Sequence, residues 1–315
     1  RCGDMEGVWI APVTAQVMMT LAMACSSGRD AHSRPGGAGR EGAGFQPARA
    51  AACSRHDRTR CVDALTAALP PGAGLAWLLA AALAGGLARG FSGFGAALIF
   101  VPLAAVAVGP HRAAPLMMLV EVIALASLTW PAWRIADRRE TGLLTLGAAL
   151  GFPAGAALLR AGEPTVLRWA IALTILALLL LLASGWRFRG RPTRPLTVGI
   201  GVAGGVLGGI AMVSGPPVMA YLLGREMPAR EVRAAFTLYL GAGTVLAALS
   251  YAALGLLGGA LLGPFLVAAP AYGAGIWLGA RMFGLASEVA FRRACYAMIA
   301  LAALLSLPAW DGVLR

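Results

Sequence analysis

Glu121 stands alone in an apolar run, Met117-Met118-Leu119-Val120-Glu121-Val122-Ile123-Ala124. A charged, unpaired carboxylate at the centre of a membrane helix costs at least about 2.5 kcal/mol, so such a residue is a functional hypothesis by default. The chemistry open to it is reversible proton carriage that couples a second solute to the proton gradient. The alternative is a protonated or arginine-paired carboxyl that only packs helices.

Two breaks in the apolar sequence offer a different chemistry, anion binding. They are Ser92-Gly93-Phe94-Gly95 and Val213-Ser214-Gly215-Pro216-Pro217. Each falls where one apolar segment stops and the next begins, with no polar loop between. Glycine permits backbone angles that no helix uses, and proline cannot donate to a continuing ladder. A helix broken at membrane depth leaves unpaired N–H groups and a positive dipole end, which hold an anion without a basic side chain. The substrate-binding candidates are therefore Ser92, Gly93, Gly95, Ser214, Gly215 and Pro216, with Glu121 as the coupling residue. A tight intramembrane turn is the competing reading, and the four-spaced Gly86/Gly90 and Gly201/Gly205/Gly209 read as close-packing residues.

Arg89 ends the segment before the first break, and the expectation is a side chain that snorkels to the interface. Arg112 and Arg233 open equivalent segments, which suggests a structural role at a helix end; gating of an incoming anion is the sharper alternative. No enzyme chemistry emerges. His111 sits in a loop, His32 and His56 lie near the amino terminus, and no Ser–His–acid set or metal-ligand spacing is present. No metal and no cofactor is expected.

The elements that must position these residues are membrane helices. Of 315 residues, 59% are hydrophobic and 13% charged, against about 25% charged in a soluble domain. Several apolar runs approach the roughly 20 residues that cross hydrocarbon. The net charge of +12 follows arginines in short loops and in the first 60 residues, without aromatic interleaving. That pattern points to a lipid bilayer and excludes nucleic acid as a partner. Cysteine spacing shows no metal or disulfide framework.

The chain also repeats itself. Gly85, Gly86 and Gly90 fall on Gly204, Gly205 and Gly209; Arg112-Ala113-Ala114 falls on Arg233-Ala234-Ala235; Gly151, Gly155 and Arg168 fall on Gly275, Gly279 and Arg292. Duplicated apolar halves point to a transporter. The expected fold is an all-α polytopic membrane protein of two inverted repeats, 74–186 and 196–310, each of four to five hydrophobic segments with discontinuous Gly/Pro-rich helices. A basic linker, 187–195, joins them on the cytoplasmic side by the positive-inside rule. Segment 214–224 is too short to span, so with 94–109 it reads as a half-helix or re-entrant piece; the sequence leaves open whether the crossings number eight or ten. Residues 1–61, rich in Arg, Gly, Ala and Pro, read as an extension outside the folded unit, either disordered or translated from a misplaced gene start.

The Gly-rich entry Gly85-Gly86-Leu87-Ala88-Arg89-Gly90-Phe91-Ser92-Gly93-Phe94-Gly95, then Val101-Pro102-Leu103, Gly109 and Arg112-Ala113-Ala114, together with the second copy from Gly204 to Ala235, resembles the TauE/SafE family of sulfite exporters and related anion permeases. The resemblance covers residues 74–307. It implies a secondary transporter of the cytoplasmic (inner) membrane with a small anionic substrate: sulfite, a sulfonate or a related organic anion. A passive anion channel or permease, and a membrane-embedded enzyme or assembly factor, remain as alternatives. Two departures stand out: Met212 replaces Gly93 in the second copy, and Glu121 has no acidic counterpart, Ala242 or nearby residues standing in its place. The sequence leaves the oligomeric state open.

Overall fold

Glycine and proline punctuate an otherwise continuous apolar sequence, and helices form between them. The computed structural model describes residues 72–92, 95–185, 193–225, 227–282 and 288–310. Among these residues there are ten α-helices and no strand: α1 Gly72–Ser92, α2 Ala96–Val108, α3 Pro110–Trp133, α4 Arg138–Ala161, α5 Pro164–Ala183, α6 Arg194–Ala211, α7 Gly215–Leu222, α8 Ala229–Ala253, α9 Leu262–Met282 and α10 Glu288–Ser306. The extension 1–61, Gly93 and most of the linker 187–195 lie outside the described residues. Proline at the first or second position starts α5, α6 and α7, where its missing N–H costs nothing. Asp137 caps α4 by accepting from the N–H groups of Arg139 and Glu140.

Six of the described helical segments are long and apolar enough to cross a membrane: Gly72–Gly90, Arg138–Ala161, Pro164–Ala183, Arg194–Ala211, Arg230–Ala253 and Gly259–Met282. Their outer faces carry exposed leucines such as Leu146, Leu150, Leu173, Leu180 and Leu249, as lipid contact requires.

Two helix pairs hold the core, and both depend on glycine for close approach. Gly147, Gly151 and Gly155 of α4 meet Gly201, Gly205 and Gly209 of α6; a Cβ at Gly151 would strike the Val202 carbonyl oxygen. The contacts advance in step along both chains, so α4 and α6 are parallel. Gly86 and Gly90 of α1 lie in the same way against the Tyr272 and Ile276 backbone, which makes α1 parallel to α9. Between membrane helices, such small-residue faces let dispersion contacts and carbonyl dipoles act at short range. The four-spaced glycines are thus packing residues.

The expected half-helix is present and it reverses direction. α6 ends at Ala211, and Met212 turns the chain in the left-handed region at φ 56°. α7 then returns along α6: Ser214 packs beside Gly208, Val218 beside Gly204, and the Tyr221 hydroxyl meets Thr197 Oγ1 at 2.7 Å. At eight residues, α7 is about 12 Å long and cannot span. α2 likewise packs extensively on α1 after a short connection. Met212 and Leu119 touch both of the buried apolar clusters into which the side chains divide.

Candidate functional site

Among the described residues, three of the buried polar groups that interrupt the apolar interior involve candidate residues or the α6–α7 hairpin. The first joins α1, α3 and α9. Arg89 Nε lies 3.5 Å from Glu121 Oε1, and the Tyr272 hydroxyl donates to the same oxygen at 3.0 Å. Arg89 and Glu121 are 4% and 8% exposed, so this ion pair is taken out of water. Glu121 and Tyr272 fall close to the middle of α3 and α9, roughly 15–17 Å from each helix start at 1.5 Å per residue. Arg89 does not snorkel to the interface as the sequence suggested. The α1–α9 glycine seam carries it inward beside α9, where the Glu121 carboxylate offsets its desolvation.

The second group surrounds the break between α6 and α7. Ser214 is buried and its side chain makes no capping bond to α7. The Tyr239 hydroxyl of α8 comes next to it, opposite Gly204. Because Pro216 and Pro217 carry no N–H, Gly215 alone among the first three residues of α7 offers a backbone donor. The exposed carbonyls at the end of α6 are met from α8: the Tyr251 hydroxyl donates to Gly209 O at 2.9 Å and lies 3.3 Å from Gly208 O. At the first break, Gly95 adopts φ 90° and Leu98 N–H donates to the Gly95 carbonyl. The N–H groups of Ala96 and Ala97 are then the donors that α2 does not use internally. Ser92 is the last residue of α1.

The third group was not anticipated. Glu140 of α4 accepts from the Tyr221 hydroxyl at 2.5 Å and from Arg225 Nη1 at 3.2 Å, with Thr197 alongside. It ties the end of α7 to the starts of α4 and α6. The only sequence signal was the Asp137-x-x-Glu140 spacing of a helix start; Glu140 adds to that an interhelical role. Arg112 and Arg233 are both exposed, in the first turn of α3 and the second turn of α8. The structure therefore brings Glu121 to Arg89 and Ser214 to Tyr239, and leaves Arg112 and Arg233 at the surface.

The family model described as sulfite exporter TauE/SafE matches residues 78–306, which takes in all three groups. The chain belongs to the TauE/SafE family. This family is one of membrane transporters, so the six long apolar helices of the TauE/SafE chain are read as transmembrane helices and its buried polar groups stand in a transporter. No curated protein and no solved structure matches the chain.

Proposed function

We propose that the protein is a proton-coupled secondary transporter carrying a small oxyanion, of the sulfite or sulfonate class, across the cytoplasmic membrane. The observation that carries this reading is the buried Arg89–Glu121 pair. While the pair is intact its charges cancel. Protonation of Glu121 removes the negative charge beside Arg89, and the net positive charge that this leaves in the site favours binding of the substrate anion. Proton and anion binding then favour one another, and by linkage each raises the affinity for the other to the same degree. Acidity on one side favours loading; higher pH on the other restores the ion pair and expels the anion. The coupled movement is symport.

Alternating access requires two halves that can rock against each other. The helix pairing supports inverted repeats: the first helix of each half, α1 or α6, packs parallel on the fourth helix of the other half, α9 or α4. The two breaks occupy matching places after α1 and α6. An inward-facing linker is supported by Arg134 and Arg138 over Trp130 and Trp133 at the end of α3, and Arg281 over Trp277 at the end of α9. Aromatic and arginine side chains of this kind gather at a membrane surface.

The test is uptake of labelled sulfite by vesicles containing the purified protein under an imposed pH gradient. The parent protein should accumulate sulfite against its own gradient. Glu121→Gln should lose accumulation yet retain sulfite–sulfite exchange, because the side chain at position 121 then no longer takes up and releases a proton. Gradient-driven uptake by Glu121→Gln with the parental pH dependence would end the coupling role.

A further inference from the structure

We infer that the Tyr239 hydroxyl and Ser214 together form the anion-binding donors of the α6–α7 break, an assignment that rests on the transport reading and names the side chains of its site. Tyr239 lies in the middle of α8 and is 0% exposed. Its hydroxyl lies beside the Ser214 side chain, outside the distance and angles of a formed hydrogen bond, and meets no other partner among the described residues. A buried hydroxyl without a partner is destabilising, and native structures retain few of them. The other large buried tyrosines, Tyr221, Tyr251 and Tyr272, each donate to a carboxylate or carbonyl. Tyr239 is the exception, and its place explains what it awaits.

That place is the start of α7. The helix end supplies a positive dipole, but Pro216 and Pro217 remove two of the N–H groups that would ordinarily meet an anion there. Gly215 N–H, the Ser214 hydroxyl and the Tyr239 hydroxyl are what remain, converging from two helices. Gly204 leaves the room: a Cβ at that position would stand 2.5 Å from the Tyr239 hydroxyl oxygen and 3.2 Å from the Ser214 carbonyl. A Cβ at Gly215 would meet only the Phe236 ring, at 3.2 Å. Residues 204 and 208 lie roughly 15–21 Å along α6, near the middle of a hydrocarbon layer about 30 Å thick. Neutral donors at that depth hydrogen-bond an oxyanion that must be bound and then released.

The experiment compares the full-length parent, Tyr239→Phe and Ser214→Ala in detergent, with sulfite as the probe. Two quantities are read: the unfolding temperature of the empty protein and the sulfite dissociation constant. Tyr239→Phe should raise the unfolding temperature of the empty protein, since it deletes an unmet donor and keeps the ring. It should also weaken sulfite binding roughly 10- to 100-fold, the effect of losing one hydrogen bond to a charged group. Ser214→Ala should weaken binding in the same sense. A purely structural Tyr239 gives the opposite pattern, a lower unfolding temperature with sulfite affinity unchanged, and would overturn the assignment. Glu121→Gln run in parallel separates the two ideas. If it alters the pH dependence of sulfite binding while Tyr239→Phe binds like the parent, the site assignment falls and the transport reading stands. If the parent binds neither sulfite nor a simple sulfonate at any pH, both fall.

Discussion

The Tyr251 hydroxyl donates to the Gly209 carbonyl across 2.9 Å and so closes the end of α6 from a neighbouring helix. A helix end buried among apolar side chains exposes carbonyls that water cannot reach, and each must find a donor. Tyr251→Phe should therefore destabilise the protein by about 1–3 kcal/mol, opposite in sign to Tyr239→Phe. Thermal unfolding of the two variants side by side checks this; equal shifts in one direction would contradict the distinction between them.

Met212 turns the chain with a left-handed φ of 56° where the first half carries Gly93. A side chain in that region is strained by roughly 1–2 kcal/mol, and glycine recovers most of this while costing some entropy in the unfolded chain. Met212→Gly should leave transport intact and raise stability by about 0.5–1 kcal/mol. A fall in unfolding temperature would mean that the Met212 side chain, which packs against both apolar clusters, contributes more than its backbone strain removes.

The return of α7 is anchored at its far end by Tyr221, whose hydroxyl joins Thr197 and Glu140. Tyr221→Phe keeps the ring and removes this junction. The expected loss is about 1.5–3 kcal/mol, the range for a hydrogen bond to a charged group, read as a lower unfolding temperature in detergent.

The parallel seam of α4 and α6 tolerates no side chain at its centre. Gly151→Val should prevent a folded protein from accumulating, since the added Cβ meets the α6 backbone and not a movable side chain. Gly142→Ala on the same helix has nothing within 4 Å and should be neutral or slightly stabilising by helix propensity. Monodispersity of the detergent-extracted variants reports both. A well-behaved Gly151→Val would remove the seam from the fold.

The proposed orientation places the α3–α4 loop inside and the α8–α9 loop outside. Arg139 and Gly258 are both exposed, so cysteines placed there, in a background with the native cysteines replaced by alanine, should label from opposite sides of intact cells. Labelling from one side would sink the inverted arrangement.

How much of this was legible beforehand follows from which physical signals act along the chain and which act across it. The helices, the two breaks, the glycine spacings and the short α7 are all local: they follow from apolar length, from the angles glycine allows, and from the donors proline lacks. Membrane crossing and family membership rest on the same local features. What packs against what is not local. Arg89 could not be assigned to Glu121, nor Glu140 to Tyr221 and Arg225, because those contacts depend on the rotation and depth of helices distant in sequence. In a helix apolar on nearly every side, periodicity does not reveal which face is inside. The tertiary structure alone decided that α1 pairs with α9 and α4 with α6, since only interlocking backbones at glycine distinguish those partners from other apolar surfaces. It also decided that Tyr251 would close α6 while Tyr239 would face Ser214 unmet. Two tyrosines on one helix have the same chemistry in sequence, and differ only in what their hydroxyls reach.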